Sequence, residues 1–158
     1  MKISENQKAY IAGFLDGDGS IHVRLKPNST YKFKFQISPS VVFYQSRKEK
    51  QFLIWLKNLI NRGYIRERND GIVEYILGDI ESIEILLKEL LPYLRLKEKQ
   101  AKLMLKVISF KKNTETADDF LKLAQEIDKF QYLNYSRKRK QNSLEVEKTL
   151  KKEKLLAP

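Results

Sequence analysis

One stretch, Tyr10-Ile11-Ala12-Gly13-Phe14-Leu15-Asp16-Gly17-Asp18-Gly19-Ser20, limits what this chain can fold into more than any other. It reads as an apolar helix with two small residues, Ala12 and Gly13, running straight into two carboxylates that alternate with glycines. Small side chains let a second helix approach closely, so the segment is built to pack against a copy of itself. The glycines free the backbone, and Asp16 and Asp18 are presented at the end of that packed helix. A helix C-terminus carries partial negative charge and repels a carboxylate. Two such ends meeting at a dimer axis repel more strongly still. A divalent cation relieves that repulsion, because its charge dominates such a site. The segment therefore predicts a dimer seam with a hard-metal site at its foot.

Composition narrows the partner. Lys and Arg number 31 against 20 Asp and Glu, a formal charge of +11 with a pI near 9.7. That balance calls for a polyanion or an acidic membrane surface. No apolar run approaches the roughly 18 residues needed to span a bilayer, and no signal-peptide pattern opens the sequence, so an intracellular chain without membrane insertion is expected. Cysteine is absent, which removes disulfides, thiolate chemistry and zinc fingers together. His22 is the only histidine, so nuclease chemistry that needs several is excluded. With 158 residues, the chain is expected to be one domain. That domain divides into a core of about 4–133 and a basic C-terminal segment, 134–158.

Ser4 followed by Gln7 has capping-box spacing and opens a helix running to about Asp16. From Ser20 the period changes to two, with His22, Arg24 and Lys26 alternating with Ile21, Val23 and Leu25. After a Pro27–Thr30 turn, residues 31–44 form a second strand, with Pro39 marking an edge or bulge. Residues 48–60 read as a helix whose core face is Phe52, Leu53, Trp55, Leu56, Leu59 and Ile60. Two short strands, 64–68 and 72–77, flank Asn69-Asp70-Gly71, a hairpin signal. Further helices follow at about 79–91, 97–109 and 117–130, and Ser143 opens a last one ending near Leu156. The order is an α+β fold, αββαββα with extra C-terminal helices and an antiparallel sheet covered on one face. The open face would carry His22, Arg24, Lys26, Gln36, Ser38, Ser40, Arg66, Arg68 and Glu74. This set is mostly donors and cations, the chemistry that reads base edges in a major groove, and a two-stranded ribbon fits there. An ordinary solvated sheet face is the alternative.

The motif Ala12–Gly19 resembles the signature of the LAGLIDADG homing endonucleases. Further segments look like their single-motif, homodimeric, intron-encoded members from algal organelles: Lys26-Pro27-Asn28 with Tyr31–Lys34, Tyr64–Arg68, Pro92–Lys97 with Lys99-Gln100-Ala101, and Leu133–Arg137. The resemblance spans about 8–140. It implies a site-specific double-strand DNA endonuclease for intron homing, acting as a homodimer on a long pseudo-palindromic target with Mg²⁺, for which Mn²⁺ substitutes. It places the metal on Asp18 with the Gly17 carbonyl, gives Gln45 the ordering of water and gives Lys97 the charge on the scissile phosphate. Asp16 takes a structural capping role, and the dimer interface falls on Ala9, Ala12, Gly13 and Asp16. The family's basic residue four positions after the glutamine is Glu49 here, so Lys50 or Lys48 takes that role. The family's loop aspartate is Tyr135, leaving Asn134, Ser136 and Arg137 as backbone contacts. Asn28, Thr30, Tyr31, Lys138 and Arg139 join the implied DNA-binding set, the last two as phosphate contacts that position without specifying. An organellar compartment, chloroplast or mitochondrion, follows if the gene lies there.

The implied chemistry is metal-assisted phosphodiester hydrolysis. No side chain stands ready as a general base, so ordered solvent takes the proton. One motif per chain means two copies for two cuts, and a twofold protein implies a near-palindromic site with bending at its uncontacted centre. A calcium loop is excluded, because counting from Asp16 puts Ile21 at the glycine position and Pro27 at the carboxylate position of an EF-hand. The alternatives are an RNA maturase or a cleavage-inactive DNA binder on the same scaffold, and a basic adaptor dimerising through the first helix.

Overall fold

The computed structural model describes residues 3–135 and 139–157. Helix α1 spans Glu5–Asp18 and is opened by a full capping box, in which the Ser4 hydroxyl accepts from the Gln7 amide and the Gln7 side chain answers the Ser4 N–H. It runs one half-turn further than the sequence suggests: Gly17 and Asp18 are helical rather than loosened by the glycines. Strand β1 covers Gly19–Pro27 and β2 covers Phe35–Ser46. Residues 28–34 are a hairpin tip rather than strand, closed by Asn28 N–H to Lys34 O at 2.8 Å. Its Asn28 side-chain oxygen accepts from both the amide and the hydroxyl of Thr30, an Asx turn that competes with extended backbone.

A 3₁₀ turn at Arg47–Glu49 leads into α2, Lys50–Ile60. Asn61, in the left-handed region at φ 56°, ends α2, and Gly63 follows at φ 75°. A Cβ on Gly63 would stand 2.4 Å from the Ile76 carbonyl oxygen, so only glycine fits this return into β3. The hairpin of β3 (Tyr64–Glu67) and β4 (Ile72–Leu77) pairs Arg66 with Glu74 and Ile65 with Tyr75. The four strands lie in the order β1-β2-β4-β3, and β2 and β4 pair antiparallel from Val41↔Leu77 to Ser46↔Ile72. Pro39 sits beyond that ladder, where its missing N–H breaks no bond to β4. Helices α3 (Ile80–Leu90), α4 (Glu98–Lys112), α5 (Ala117–Asp128), the single turn α6 (Phe130–Leu133) and α7 (Ser143–Lys152) complete the chain. The last helix stops at Lys152 and is capped by Asn142 rather than Ser143.

The backbone separates into two compact units, 1–21 with 39–102, and 22–38 with 103–158. In the first, Phe43 is fully buried between Phe14 of α1 and Tyr75 of β4, with ring centroids 5.7 and 5.6 Å away. Leu53, Leu56 and Ile60 of α2 and Ile83, Leu86, Leu87 and Leu90 of α3 join that core. Trp55, expected inside, is 45% exposed. It follows Leu53 by two residues, about 200° around the helix, and falls off the buried stripe. In the second unit, Phe33 stacks on Phe120 at 5.0 Å, and Phe130, Val146 and Leu150 are buried. No helix among the described residues is long and apolar enough to cross a membrane.

Candidate active site and nucleic-acid interface

The first unit carries the chemistry, and Asp16 is its keystone. This carboxylate is buried near the end of α1 and accepts three backbone N–H groups, from Arg95 (2.7 Å), Leu96 (3.1 Å) and Lys97 (2.9 Å). Three donors on one carboxylate are charge-assisted bonds of the stronger kind, and they pin the segment between α3 and α4 onto α1. That anchoring places Lys97 so that its ammonium donates to the Asp16 carbonyl at 2.5 Å. The carbonyl belongs to the last turn of α1, where orphan oxygens and the negative dipole end favour a cation. The repulsion foreseen at this helix end is thus offset from within the chain.

Asp18 stands exposed on the final turn, close enough to Lys97 for its charge to act there. Burial pushes the Lys97 ammonium below the ordinary lysine value, and Asp16 and Asp18 oppose that shift without cancelling it. The sign is testable. Removing the Asp18 charge takes away one of the two groups holding the proton on, so Asp18→Asn should lower the Lys97 pKa further. NMR titration of ¹³Cε-labelled lysine would read this in the metal-free protein, and an unchanged Lys97 curve would separate the two groups. Because the folded value lies below the unfolded one, the unfolded chain binds the extra proton between them, and this group's contribution to stability rises with pH through that window.

Gln45 occupies the same end of the unit. It follows Tyr44, whose hydroxyl lies 3.1 Å from the Ser20 hydroxyl, two residues beyond Asp18. Its side-chain oxygen accepts from the Ser46 amide at 3.2 Å, which leaves the NH₂ group of the side chain for solvent or substrate. The structure separates the two lysine candidates. Lys50 pairs with Glu67 of β3, which also receives Arg47 at 3.4 Å, whereas Lys48 is exposed and makes no hydrogen bond or ion pair among the described residues. Of the two, Lys48 is the cation free to move toward a phosphate.

Strand register shows which polar side chains share a face within each unit. In the first unit Ser40, Arg66, Arg68 and Glu74 lie there, but Glu74 is itself buried. Its carboxylate accepts from Arg66 at 2.5 Å and faces Arg68 at 3.5 Å, while Arg68 also meets Asp70. Glu74 therefore orients two guanidiniums rather than meeting a base itself. Tyr44, opposite Glu74, shares this face and was not singled out from the sequence, although the period of two through Gln36, Ser38 and Ser40 points to it.

In the second unit Arg24 and Lys26 are exposed on β1, with His22, Gln36 and Ser38 half-buried on the same pattern of alternation. Thr30 and Tyr31 are exposed at the hairpin tip, with Asn28 half-buried beneath them. Arg139 corrects the expectation of a phosphate contact. Its guanidinium donates to the carbonyls of Val23 (3.0 Å) and Ile127 (3.3 Å), and burial lowers its pKa. A long apolar stem lets arginine turn its head inward onto backbone carbonyls. Ser136, Arg137 and Lys138 lie outside the described residues.

Along α1, Ala9, Gly13 and Gly17 are exposed, and Cβ atoms built on Gly13 and Gly17 would meet nothing. Ala12 differs from the expectation: it is fully buried with Ile11 and Leu15 against its own chain, and Asp16 is buried beside the backbone of residues 95–97, so neither side chain is offered to a partner helix. A divalent ion would find only oxygen ligands here, the Asp18 carboxylate and the exposed backbone at Gly17. Among the described residues no three His, Cys, Asp or Glu side chains cluster into a complete cage. That donor set fits Mg²⁺, which takes one or two carboxylates plus substrate oxygens and keeps several waters.

Residues 11–112 match the family described as LAGLIDADG endonuclease. DNA endonuclease I-CreI of Chlamydomonas reinhardtii is 41% identical over 142 residues, covering 89% of this chain and 86% of its own length. DNA endonuclease I-CvuI of Chlorella vulgaris is 34% identical over 144 residues, covering 91% and 89%. The crystal structure of I-CvuI with the I-CreI target in 2 mM Mg, its DNA not cleaved, superposes with a TM-score of 0.92 at 32% identity, covering 97% of this chain and 98% of that one. I-CvuI with its own target in 2 mM Ca gives a TM-score of 0.91, covering 96% and 97%.

Proposed function

The chain belongs to the LAGLIDADG endonuclease family, and from that premise we propose that it is a site-specific DNA endonuclease whose cleavage centre is Asp18, Gln45 and Lys97, completed by a second copy and by Mg²⁺. One observation carries this reading: the Asp16 carboxylate gathers the backbone of residues 95–97 and thereby sets an ammonium beside the exposed Asp18 carboxylate at a helix end. A carboxylate and a cation set side by side in the open suit a phosphodiester, whose transition state gathers negative charge on oxygen.

Asp18 and the Gly17 carbonyl would hold the divalent ion, which would supply activation of a water and charge stabilisation for the leaving oxygen. Lys97 donates toward the scissile phosphate, its ammonium already oriented by the Asp16 carbonyl. The Gln45 amide donates to and aligns solvent, and Lys48 adds a mobile cation. No histidine belongs to this unit, so the proton departs through ordered solvent. The polar strands read the duplex, with Arg66 and Arg68 held in register by Glu74 for guanine edges and Arg24, Lys26 and Tyr31 contributing from β1 and its hairpin tip. Each chain carries one Asp18, so two cuts require two copies meeting along the Ala9–Gly13–Gly17 face of α1, and the target is near-palindromic.

A randomised plasmid library incubated with the purified chain tests this. Sequenced ends should converge on one long, near-palindromic site in Mg²⁺ and disappear in EDTA. Ends scattered without a consensus, or convergent ends that persist in EDTA, would defeat the proposal.

A further inference from the structure

We propose that Arg139 is a positioning residue for sequence reading, a brace that sets strand β1 so that Arg24 meets the duplex, while Arg139 itself touches no DNA; this rests on the DNA-endonuclease reading above. Every residue of the brace lies in the second unit. The Arg139 side chain is only 14% exposed, and its two terminal nitrogens divide between two elements. One donates to the Val23 carbonyl at 3.0 Å and the other to the Ile127 carbonyl at 3.3 Å. Val23 is the middle residue of β1, and Ile127 lies in the last turn of α5, where the dipole end favours a cation. Asp128 flanks the guanidinium. One of its carboxylate oxygens stands 3.9 Å from the Arg139 Nε, and the other accepts the Ser143 amide at 2.9 Å, at the first residue of α7. One guanidinium therefore joins β1 to α5 directly and to α7 through Asp128.

The placement matters because β1 is an edge strand, with no neighbouring strand along one side to fix it. The Val23 side chain is buried, and alternation turns the next residue, Arg24, outward into solvent. The Arg24 side chain makes no hydrogen bond or ion pair among the described residues, so its own contacts do not aim it. The backbone does, and Arg139 ties that backbone one residue away. Bidentate reading of a base edge depends on such aim. Lysine would not serve as the brace, because its ammonium is a point charge, whereas a guanidinium is a rigid fork that spans two carbonyls. Burying the charge also carries a desolvation cost that a solvent-exposed phosphate contact would not.

The test compares the full wild-type chain with Arg24→Ala, Arg139→Met, Arg139→Lys and the double variant of Arg24→Ala with Arg139→Met. Each is titrated in EDTA, at several salt concentrations, with the duplex selected from the randomised library and with its single-base variants. Arg139→Met should relax discrimination by about tenfold at the positions that Arg24→Ala relaxes, and nowhere else. Its salt slope should match the wild type, because no phosphate contact is lost. Added to Arg24→Ala, it should relax those positions no further. Uniform weakening across sequences, with a salt slope lower by about one, would make Arg139 a phosphate contact and overturn the proposal. Unchanged discrimination, whatever the melting temperature, would make it a structural tie alone and overturn the proposal, as would an Arg24→Ala variant that relaxes no position. A wild-type chain that prefers no duplex would overturn both this proposal and the endonuclease reading. Should Arg139→Met fail to fold, Arg139→Lys decides by the same criteria, since it keeps the charge and the stem and loses the fork.

Discussion

Asp18→Asn should lower single-turnover DNA cleavage by about a thousandfold or more, equivalent to about 4 kcal/mol of transition-state stabilisation, while target affinity holds. The substitution removes the charge proposed to hold the divalent ion and leaves shape and size unchanged. Asp18 is exposed and caps nothing, so folding should not suffer. Removing a carboxylate from a helix C-terminus relieves an unfavourable dipole interaction, and the melting temperature should stay level or rise slightly. Gel-shift titration alongside the cleavage time course checks both halves. Loss of binding in parallel with loss of cutting would show that Asp18 serves the fold or the DNA contact instead.

The adjacent carboxylate should behave in the opposite way. Asp16→Ala leaves the amides of Arg95, Leu96 and Lys97 without their acceptor in a part-buried setting. Stranding such groups costs about 3–5 kcal/mol, which for a domain of this size is a fall in melting temperature of roughly 10 °C. Cleavage should fall as well, because Lys97 loses the backbone anchor that carries its ammonium to α1. Calorimetry distinguishes the two variants: Asp18→Asn is an activity variant with native stability, and Asp16→Ala loses both. If Asp16→Ala melts with the wild type, the carboxylate does not hold residues 95–97.

Much of this was legible in the residues, for identifiable reasons. Local chemistry marked its own boundaries: the Ser4–Gln7 box opens α1, the Asn69-Asp70-Gly71 turn joins β3 and β4 with Gly71 at φ 84°, and alternation along β1 sorts Ile21, Val23 and Leu25 inward from Arg24 and Lys26. Three features were hidden because they depend on where neighbours lie. Ala12 and Gly13 are equally small, but adjacent helix positions point about 100° apart, and only the packing decides that Gly13 faces outward. Trp55 carries the largest apolar side chain of α2, yet the buried stripe runs through Leu53, Leu56 and Ile60 instead. Arg139 sits in a basic run with no period, and its inward turn answers the carbonyl of Ile127, 12 residues away, and that of Val23, 116 residues away. Within the candidate site, the acidic motif exposed Asp18 to inspection. The bond network that makes Asp16 the organiser of Lys97 links positions 79 to 81 residues apart and has no signature along the chain.

Metal-dependent strand cleavage at one selected site is the most direct test of the proposed function. The measurement is cutting of that duplex by the purified wild-type chain in Mg²⁺, in Ca²⁺ and in EDTA, with both strands end-labelled and binding recorded in the same samples. Both strands should be cut at fixed positions in Mg²⁺, and the duplex should remain intact in EDTA. Specific, tight binding with no cut in Mg²⁺ or Mn²⁺ would contradict the account and leave a DNA-binding protein on a nuclease scaffold.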